Sequence, residues 1–449
     1  MKVSRVSVFA ISWMITFLTS GGLSSGFGPV YSRLVEEKQW SDLCPGANAT
    51  SAVCSAQEVQ LQSVYTTATL MTALGQTLFG VLLDIIGPRY TTIVSFLFSI
   101  AGNLFMAYGN SHNGTDSLIV AGYALITFGG MGVLVSTIQL SYLFPEPSVY
   151  MSLLVSAFSC SGYIYIFLEL DISRQAFFVG YSVLVVLCML IVFLVFPVRH
   201  VTEECMTTTI PGFSVEKPQA TTTLMSNIWA GLKEQTKTRG DLWVVTGIGS
   251  FLFLQIVYTG GAIPSILTSL THGDAKLNDL YVNYLYPFVS GSWFLIAPVA
   301  GYLLQHHGFK KTSYITLWIF VAFCATLMLP NLAIQNLSFV LLSLANGFLN
   351  CLQYAYILTC FPSELYGVLT ALVTLIATVF SLLNYAFVSL TQYAFDGNNN
   401  YCLGFLVAVT ILMLSLVKYL REESECTELK IKHLDEVDFL HQESPRTVQ

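Results

Sequence analysis

The chain has 449 residues, of which 54% are hydrophobic and only 10% charged, and its formal net charge is -7. Soluble domains carry roughly 25% charged residues, so this composition argues against a large water-soluble protein. The sequence has no basic patch with interleaved aromatic residues, so nucleic acid is not an expected partner. Long uncharged runs of about 20 residues recur instead, each sufficient to cross a lipid bilayer. Because irregular backbone in lipid would leave polar groups unsatisfied, we predict an all-α membrane protein.

Hydropathy predicts twelve membrane-spanning helices. The first apolar run follows Lys2 and Arg5 and loosely resembles a secretory signal peptide. Its apolar character continues to Tyr31, which predicts an uncleaved first helix instead. The predicted spans are 7–30, 59–83, 91–109, 117–141, 149–169, 176–197, 242–266, 282–304, 312–330, 336–359, 366–388 and 401–419.

The distribution of charge predicts the orientation of these spans. If both termini are cytoplasmic, the positive-inside rule is obeyed, because the Lys and Arg residues left outside are only Arg33, Lys38, Arg174 and Lys276. Glycosylation sequons at Asn48 and Asn113 then fall on the outer side, which favours a multi-pass plasma-membrane protein. Cys44 and Cys54 share the first outer loop, where an oxidising environment permits a disulfide.

A repeated segment divides the chain into two halves. The sequence GVLLDIIGPR at Gly80–Arg89 recurs as GYLLQHHGFK at Gly301–Lys310, at an offset of 221 residues. The loop at 144–146 recurs at 361–364 at a similar offset. Internal repeats with a solute site between them are typical of secondary transporters that work by alternating access.

The repeat and the polar stretches predict the domain organisation. We predict an N-terminal six-helix bundle over 1–197 and a C-terminal six-helix bundle over 242–420. A polar segment at 198–241, rich in Thr, Lys and Glu, is predicted to be a cytoplasmic linker, and 421–449 a cytoplasmic tail.

The first copy of the repeat resembles the major facilitator superfamily signature, G-x-L-x-D-x-x-G-x-R between spans two and three. This resemblance implies the major facilitator fold of twelve helices in two pseudo-repeats. The glycines permit a tight turn, and Asp84 and Arg89 are expected to latch the outward-open state through charge-assisted contacts to a neighbouring helix end. Gln305 replaces the acid in the second copy, so a weaker latch is expected there. The predicted latch residues are Gly80, Asp84, Gly87, Arg89, Gly301, Gly308 and Lys310.

Further segments resemble solute carrier family 43 within that superfamily. They are G-F-G at Gly26–Gly28, the spacing from Asp42 to Gln57, F-G-G at Phe128–Gly130 and F-P-S-E-x-x-G at Phe361–Gly367. In that family some members carry large neutral amino acids and one branch carries purine nucleobases, both without ion coupling.

Local features divide between the two branches. The outer loop, Gln139 and the S-A-F-S segment at Ser156–Ser159 look more like the nucleobase branch. The G-P-R segment at Gly87–Arg89 looks more like the amino-acid branch. We favour purine nucleobases narrowly and retain large neutral amino acids as the alternative.

The span centres carry no charged residue, whereas intramembrane carboxylates are the usual elements of proton or cation coupling. This favours facilitation independent of sodium and protons. Uncharged polar residues at depth are candidates for the substrate cavity, although each could equally join two helices through a hydrogen bond. The candidates are Ser24, Ser25, Gln139, Gln255, Tyr258, Tyr284, Asn346, Asn350, Gln353 and Tyr354.

Other functional classes have less support. All seven histidines fall in predicted loops, the linker or the tail, and no CxxC pair occurs, so no catalytic residue, metal site or cofactor is predicted. A polytopic sensor or enzyme without transport is the alternative of a different class. The expected partners are a small-molecule substrate and the lipid bilayer.

Overall fold

The computed structural model describes residues 5–20, 23–44, 55–170, 172–197, 221–271, 274–395, 398–422 and 424–426. Every element of secondary structure within these ranges is a helix, and none is a β-strand. The predicted all-α character is therefore confirmed for the described part of the chain.

The N-terminal half contains six α-helices, two of which carry 3-10 extensions. The helices are α1 (Arg5–Thr19), α2 (Leu23–Glu36), α3 (Ser55–Tyr108), α4 (Asp116–Ile138), α5 (Pro147–Cys160) and α6 (Arg174–Val195). The 3-10 segments Gln139–Leu143 and Ser161–Glu169 continue α4 and α5, and short 3-10 turns lie at Ser41–Leu43 and Ser111–Asn113.

The rest of the described chain contains nine further α-helices, several of them short. They are α7 (Thr221–Thr238), α8 (Gly240–Leu270), α9 (Ala275–Asp279), α10 (Tyr286–Gly291), α11 (Ala297–Leu327), α12 (Leu332–Cys360), α13 (Tyr366–Ser381), α14 (Asn384–Ser389) and α15 (Asn400–Met413). Two π-helical segments, Leu280–Leu285 and Leu390–Ala394, and 3-10 segments at Ser292–Leu295, Ser363–Leu365 and Val417–Tyr419 complete the helical structure.

Among the described residues, eight helices are long and apolar enough to cross a membrane, and a helix pair bent by 41° is a ninth candidate. This number is lower than twelve because α3 and α11 each contain parts of two predicted spans. Gly87 in α3 and Gly308 in α11 have φ angles of 76° and 80°, which break the helix at matching points of the repeat. Glycine adopts this left-handed conformation without a steric penalty, so both glycines are required by the turn. The remaining span corresponds to the shorter α1 and the following α2.

Three clusters of buried apolar side chains show how the two halves meet. One cluster contains residues of both halves, including Leu83, Leu154, Leu304 and Leu369. The other two lie at the opposite end of the helices, and each belongs to one half. The halves therefore pack together at the end that carries Asp84, which is the predicted cytoplasmic end, and have separate cores at the other.

Candidate solute pathway and its closed end

The backbones of the two halves approach each other closely where α3 crosses α13. A Cβ atom added to Gly80 would lie 2.5 Å from the carbonyl oxygen of Gly367, and one added to Gly367 would lie 2.0 Å from the carbonyl oxygen of Gly80. Such distances leave no space for a side chain on either residue. Small residues permit this kind of close backbone approach between membrane helices.

Asp84 lies one turn beyond this crossing and binds the first turn of α13. Its two carboxylate oxygens accept hydrogen bonds from the backbone N–H groups of Gly367 (3.0 Å) and Val368 (2.6 Å). The first N–H groups of a helix have no partner within the helix and lie at the positive end of its dipole, so a carboxylate stabilises them well. The carboxylate of one half thus holds a helix end of the other half, as the predicted latch requires.

Arg89 also contacts the end of a neighbouring helix, as predicted, but that helix belongs to its own half. Its Nε donates to the carbonyl oxygen of Phe196 (2.6 Å), at the end of α6, and its guanidinium lies 5.9 Å from the ring centre of Phe193. Because the chain turns at Gly87, Arg89 lies on the second segment of α3 and contacts a helix of its own half. Arg89 therefore joins two helices of the N-terminal half and does not bridge the two halves. Its part in the latch stays a prediction.

The second copy of the repeat forms an equivalent crossing with different chemistry. A Cβ atom added to Gly301 would lie 2.1 Å from the hydroxyl oxygen of Ser152 in α5. Gln305, at the position of the acid, has a buried side-chain oxygen without a hydrogen-bond partner among the described residues. Lys310 lies 3.8 Å from Glu425 of its own half, so it also does not bridge the halves. The weaker second latch stays a prediction.

Three further polar contacts join the halves near the same end. The Gln76 amide donates to the hydroxyl of Tyr354 (2.8 Å), and both side chains are buried. The Tyr142 hydroxyl donates to the Leu358 carbonyl (2.5 Å), whose usual partner in a helix, the N–H of residue 362, is missing because that residue is proline. Farther along, Ser156 donates to the carbonyl oxygen of Phe294 (2.7 Å). These contacts seal the interface for several helical turns.

Sequence reasoning did not single out Gln76, although it pairs with a predicted cavity residue. The feature that could have indicated it is a polar amide inside the predicted span two. Gln76 precedes Asp84 by eight residues and therefore lies about 12 Å from it along a helix. Span two is not among the spans predicted to line the cavity, so its polar residues were not predicted to belong to the site.

A row of amides follows one face of α12. Asn346, Asn350 and Gln353 are spaced by four and three residues, so their side chains share a face, and all three are half-buried. The amide nitrogens of Asn346 and Asn350 donate to the carbonyl oxygens of Leu342 (3.1 Å) and Asn346 (2.9 Å), one turn before each. Their side-chain oxygens can still accept hydrogen bonds. Asn346 lies midway along α12, at the depth where solute sites of such transporters are found.

Two predicted cavity residues instead join helices within the C-terminal half. The Gln255 amide donates to the sulfur of Cys324 (2.7 Å) and accepts from the hydroxyl of Thr410 (3.2 Å). The Tyr258 hydroxyl lies 2.9 Å from that of Thr391 and donates to Asn399. A buried polar group needs such a partner, and here the partners lie on α11, on α15 and beside them. The structure therefore does not place these two side chains between the halves.

The remaining predicted cavity residues are dispersed. Gln139 is fully buried in the 3-10 extension of α4, whereas the side chain of Tyr284 is 64% exposed on the π-helical segment. Ser24 and Ser25 lie in α2, and their side chains are outside the described set. Of the predicted cavity residues, Tyr354 thus contacts the other half, and the three amides share one face of its helix, where Gln353 also lies beside Gly249 of α8. The placement of the amides in a solute pathway stays a prediction.

The predicted covalent features lie partly outside the described residues. Cys44 is disulfide-bonded, but Cys54, its predicted partner, lies outside those residues, as does Asn48. Asn113 is exposed at the end of a 3-10 turn, where its side chain is accessible. The pairing and the glycosylation stay predictions.

At the opposite end, a buried arginine closes the N-terminal half. Arg174 pairs with Glu37 (2.7 Å) and donates to the carbonyl oxygens of Gly109 (2.7 Å) and Met106. These groups end α2 and α3 and begin α6. All members of this network belong to one half, so it does not join the halves.

The Major Facilitator Superfamily model matches residues 5–384. The chain belongs to the major facilitator superfamily. Its fold is similar to that of the proton:xylose symporter XylE bound to 6-bromo-6-deoxy-D-glucose, with a TM-score of 0.63, 15% sequence identity and coverage of 93% of this chain and 97% of that one. It is also similar to that of the human organic anion transporter MFSD10 (TETRAN), with a TM-score of 0.62, 14% identity and coverage of 92% and 100%.

Curated relatives of this major facilitator protein match shorter stretches. Protein FMP42 of Saccharomyces cerevisiae is 28% identical over 156 residues, which are 34% of this chain and 31% of that protein. Arginine transporter 1 of Toxoplasma gondii is 25% identical over 210 residues, 43% of this chain and 38% of that protein. The match thus spans about a third of each relative's length.

These findings confirm the predicted major facilitator fold of twelve helices in two pseudo-repeats. The protein is an integral multi-pass membrane protein of this superfamily. They do not identify the solute.

Proposed function

We propose that the protein is a facilitative carrier of purine nucleobases that works by alternating access without sodium or proton coupling. The observation that carries the proposal is the uncharged polar character of the interface interior, where Gln76 binds Tyr354 and the amides of α12 lie nearby. A neutral solute can be bound by such groups without any charge being buried.

The chemistry of a purine fits these groups. A nucleobase edge alternates hydrogen-bond donors and acceptors, and a carboxamide offers one of each, so Asn and Gln can bind adenine through two hydrogen bonds. Tyrosine adds a planar ring that can stack on the base. The resemblance to the nucleobase branch of solute carrier family 43 supports the same choice.

The positions of the charged groups favour uncoupled transport. Asp84 and Asp241 lie at the closed end and are bound by backbone N–H groups or by arginine, while Glu37 at the other end is paired with Arg174. These carboxylates have structural partners near the helix ends, whereas a proton or cation relay needs a carboxylate in the pathway.

Large neutral amino acids are the alternative solutes. The partial similarity to an arginine transporter favours an amino acid, and the Gly87–Arg89 segment resembles the amino-acid branch. An amino acid would need partners for its ammonium and carboxylate groups, which helix dipoles can supply. An arginine guanidinium would in addition need a carboxylate in the pathway.

We further propose that the protein resides in the plasma membrane with both termini cytoplasmic, and that it is glycosylated at Asn48 and Asn113. The proposed limits are 1–197 and 242–420 for the two bundles, with 198–241 as linker and 421–449 as tail. Epitope tags at the two termini, detected only after permeabilisation, would support this orientation, and detection in intact cells would contradict it.

The decisive experiment is uptake into proteoliposomes that contain the purified protein. Radiolabelled adenine should enter saturably, at a rate unchanged by sodium removal or by collapse of a pH gradient. Leucine and arginine should neither enter nor compete. Saturable leucine uptake without adenine uptake would replace the solute by the alternative, and abolition by collapse of a proton gradient would refute the uncoupled mechanism.

Matched variants connect the uptake to the proposed site. Asn350→Ala, on the amide face, should raise the KM for adenine roughly tenfold through loss of a hydrogen bond worth about 1.5 kcal/mol. Gln255→Ala removes an amide that lies between helices of one half, so its KM should stay within twofold of the wild type. Equal KM values for the two variants would show that the amide face of α12 does not bind the solute.

A further inference from the structure

The residues that follow α15 bind back onto the C-terminal half and form what we call the C-terminal strap, residues 420–422 and 424–426. The Arg421 backbone N–H donates to the Tyr356 hydroxyl (3.1 Å), and its guanidinium lies 3.6 Å from Asp241. Glu422 accepts from the N–H of Phe309 (3.0 Å), the first residue after the Gly308 turn. The strap therefore contacts α8, α11 and α12.

The end of the strap is joined covalently to α12. Cys426 forms a disulfide with Cys360, the last residue of α12, and their Cα atoms are 4.6 Å apart. Both residues are buried, while the adjacent Ser424 and Glu425 are exposed. The five other cysteines for which the structure describes a free thiol lie on α5, α6, α11, α12 and α15.

Cys360 also lies next to the segment that carries the latch. Its carbonyl oxygen accepts from Arg239 (3.1 Å), which is itself bound to Asp241 through two hydrogen bonds. The chain then turns through Phe361 and Pro362 into α13, whose first N–H groups are held by Asp84. The disulfide thus fixes the strap to the turn that presents α13 to the other half.

We propose that the Cys360–Cys426 pair is a redox modification site whose oxidised form stabilises the closed end. Its reductant would be a dithiol of the thioredoxin class, since thiols on a cytoplasmic face are normally kept reduced. A thiolate of the dithiol attacks one sulfur and releases the other cysteine as a thiolate, which leaves a mixed disulfide. The second thiolate of the dithiol then attacks its own sulfur in that mixed disulfide and releases the remaining protein cysteine. Two electrons and two protons pass to Cys360 and Cys426, and the dithiol becomes a disulfide.

The consequence of reduction follows from the attachments of the strap. Without the covalent link, its end is held by Arg421, Glu422 and the pair of Glu425 with Lys310 (3.8 Å), of which the last is exposed and weak. The turn before α13 gains freedom, so Asp84 holds a less fixed partner. Reduction should therefore increase the fraction of molecules open at this end.

The first test is chemical and independent of the solute. The purified full-length protein is treated with diamide or with a dithiol, alkylated, digested without reduction and mapped by mass spectrometry. A linked peptide containing Cys360 and Cys426 should appear after diamide and disappear after the dithiol. Two alkylated thiols after diamide would overturn the proposal.

The second test measures opening of the closed end without transport. Ser148 is buried beside the Gly301 crossing, so Ser148→Cys reports separation of the halves by its alkylation rate. We expect alkylation about fivefold faster after the dithiol than after diamide, within the usual range of such coupling. The peptide containing residue 148 is quantified directly, so the native cysteines can be retained.

The Ser148→Cys reporter combined with either of two further substitutions identifies the thiols that cause the redox response. With Cys426→Ser, alkylation should be fast under both treatments, whereas with Cys188→Ser, which removes a buried free thiol of α6, the redox response should persist. Equal alkylation rates before and after reduction, or a response that survives Cys426→Ser, would refute the role of this disulfide. Because neither test uses a solute, failure of the proposed nucleobase transport would leave both results valid.

Discussion

Gly80 and Gly367 lie face to face across the two halves, so close that a Cβ atom on Gly367 would come within 2.0 Å of the Gly80 carbonyl oxygen. The contact lies directly beside the two hydrogen bonds that Asp84 accepts from α13. Close packing and capping of a helix end therefore act at one point, and substitutions there should change the balance between the open and closed ends.

The crossing should not tolerate a methyl group. Gly367→Ala would force α3 and α13 apart, and overpacking of this kind costs about 1–3 kcal/mol. We expect the closed population to fall roughly tenfold for each 1.4 kcal/mol, measured as faster alkylation of the Ser148→Cys reporter. Gly247→Ala in α8, where an added Cβ would meet nothing within 4 Å, is the control and should leave the rate unchanged. Equal rates for both variants would contradict the crossing as a closure point.

The Asp84 carboxylate should matter through its two oxygens. Asp84→Asn retains one acceptor and directs an NH₂ group toward a backbone N–H, so a charge-assisted bond worth about 1.5–3 kcal/mol is lost. We expect transport to slow at least severalfold while surface expression is retained. Gln305→Ala, at the equivalent position of the second repeat, should change transport less than twofold. An unchanged transport rate in Asp84→Asn would refute the role of Asp84 as a latch.

The Gln76–Tyr354 bond should be measurable as a coupling between the halves. Gln76→Leu, Tyr354→Phe and the double variant form a cycle in which the alkylation rate of Ser148→Cys reports closure. One buried hydrogen bond predicts a coupling free energy of about 1 kcal/mol. Strictly additive effects of the two substitutions on the alkylation rate would show that the two side chains do not interact.

Gln255 should contribute to stability rather than to solute binding. Its amide joins α8 to Cys324 and Thr410, and Gln255→Leu removes both hydrogen bonds. The Thr410 hydroxyl keeps the Leu406 carbonyl as an acceptor (2.8 Å), so each lost bond should cost about 0.5–1.5 kcal/mol. The expected result is a lower Tm in detergent with an unchanged KM for the solute. Thr410→Val should behave similarly, because it removes the opposite side of the same contact. A raised KM with an unchanged Tm would show that Gln255 binds the solute.

The local features of the repeat could be predicted from sequence because glycine and proline constrain the backbone directly. Gly87 and Gly308 indicated matching turns, and both have the same left-handed conformation. Asp84 was correctly expected to contact a helix end, but its partner α13 could not be identified. Hydropathy places a helix in the membrane without specifying which helix it faces.

The rotation of a helix about its axis explains the errors at the candidate site. Gln76 and Gln255 are both amides within predicted spans. The sequence does not indicate that Gln76 faces the other half whereas Gln255 faces helices of its own half. A buried amide is satisfied by any nearby donor or acceptor, so composition alone does not decide between a pathway and a helix contact. The Cys360–Cys426 pair was missed for another reason, since its predicted cytoplasmic location argued against a disulfide.

The crossing between Gly301 and Ser152 has a consequence for how easily the halves move. The nearest atoms there are those of Ser152 and the Ser148 carbonyl, and at Gly80 they are those of Gly367 and Ala371. Both meeting points are formed by small residues and backbone atoms, and at the Gly80 crossing the Asp84 carboxylate lies beside them. Parting at the Gly301 crossing therefore separates only small groups, whereas parting at the Gly80 crossing also breaks the two hydrogen bonds of Asp84. The Gly80 crossing should thus contribute more of the barrier to the motion.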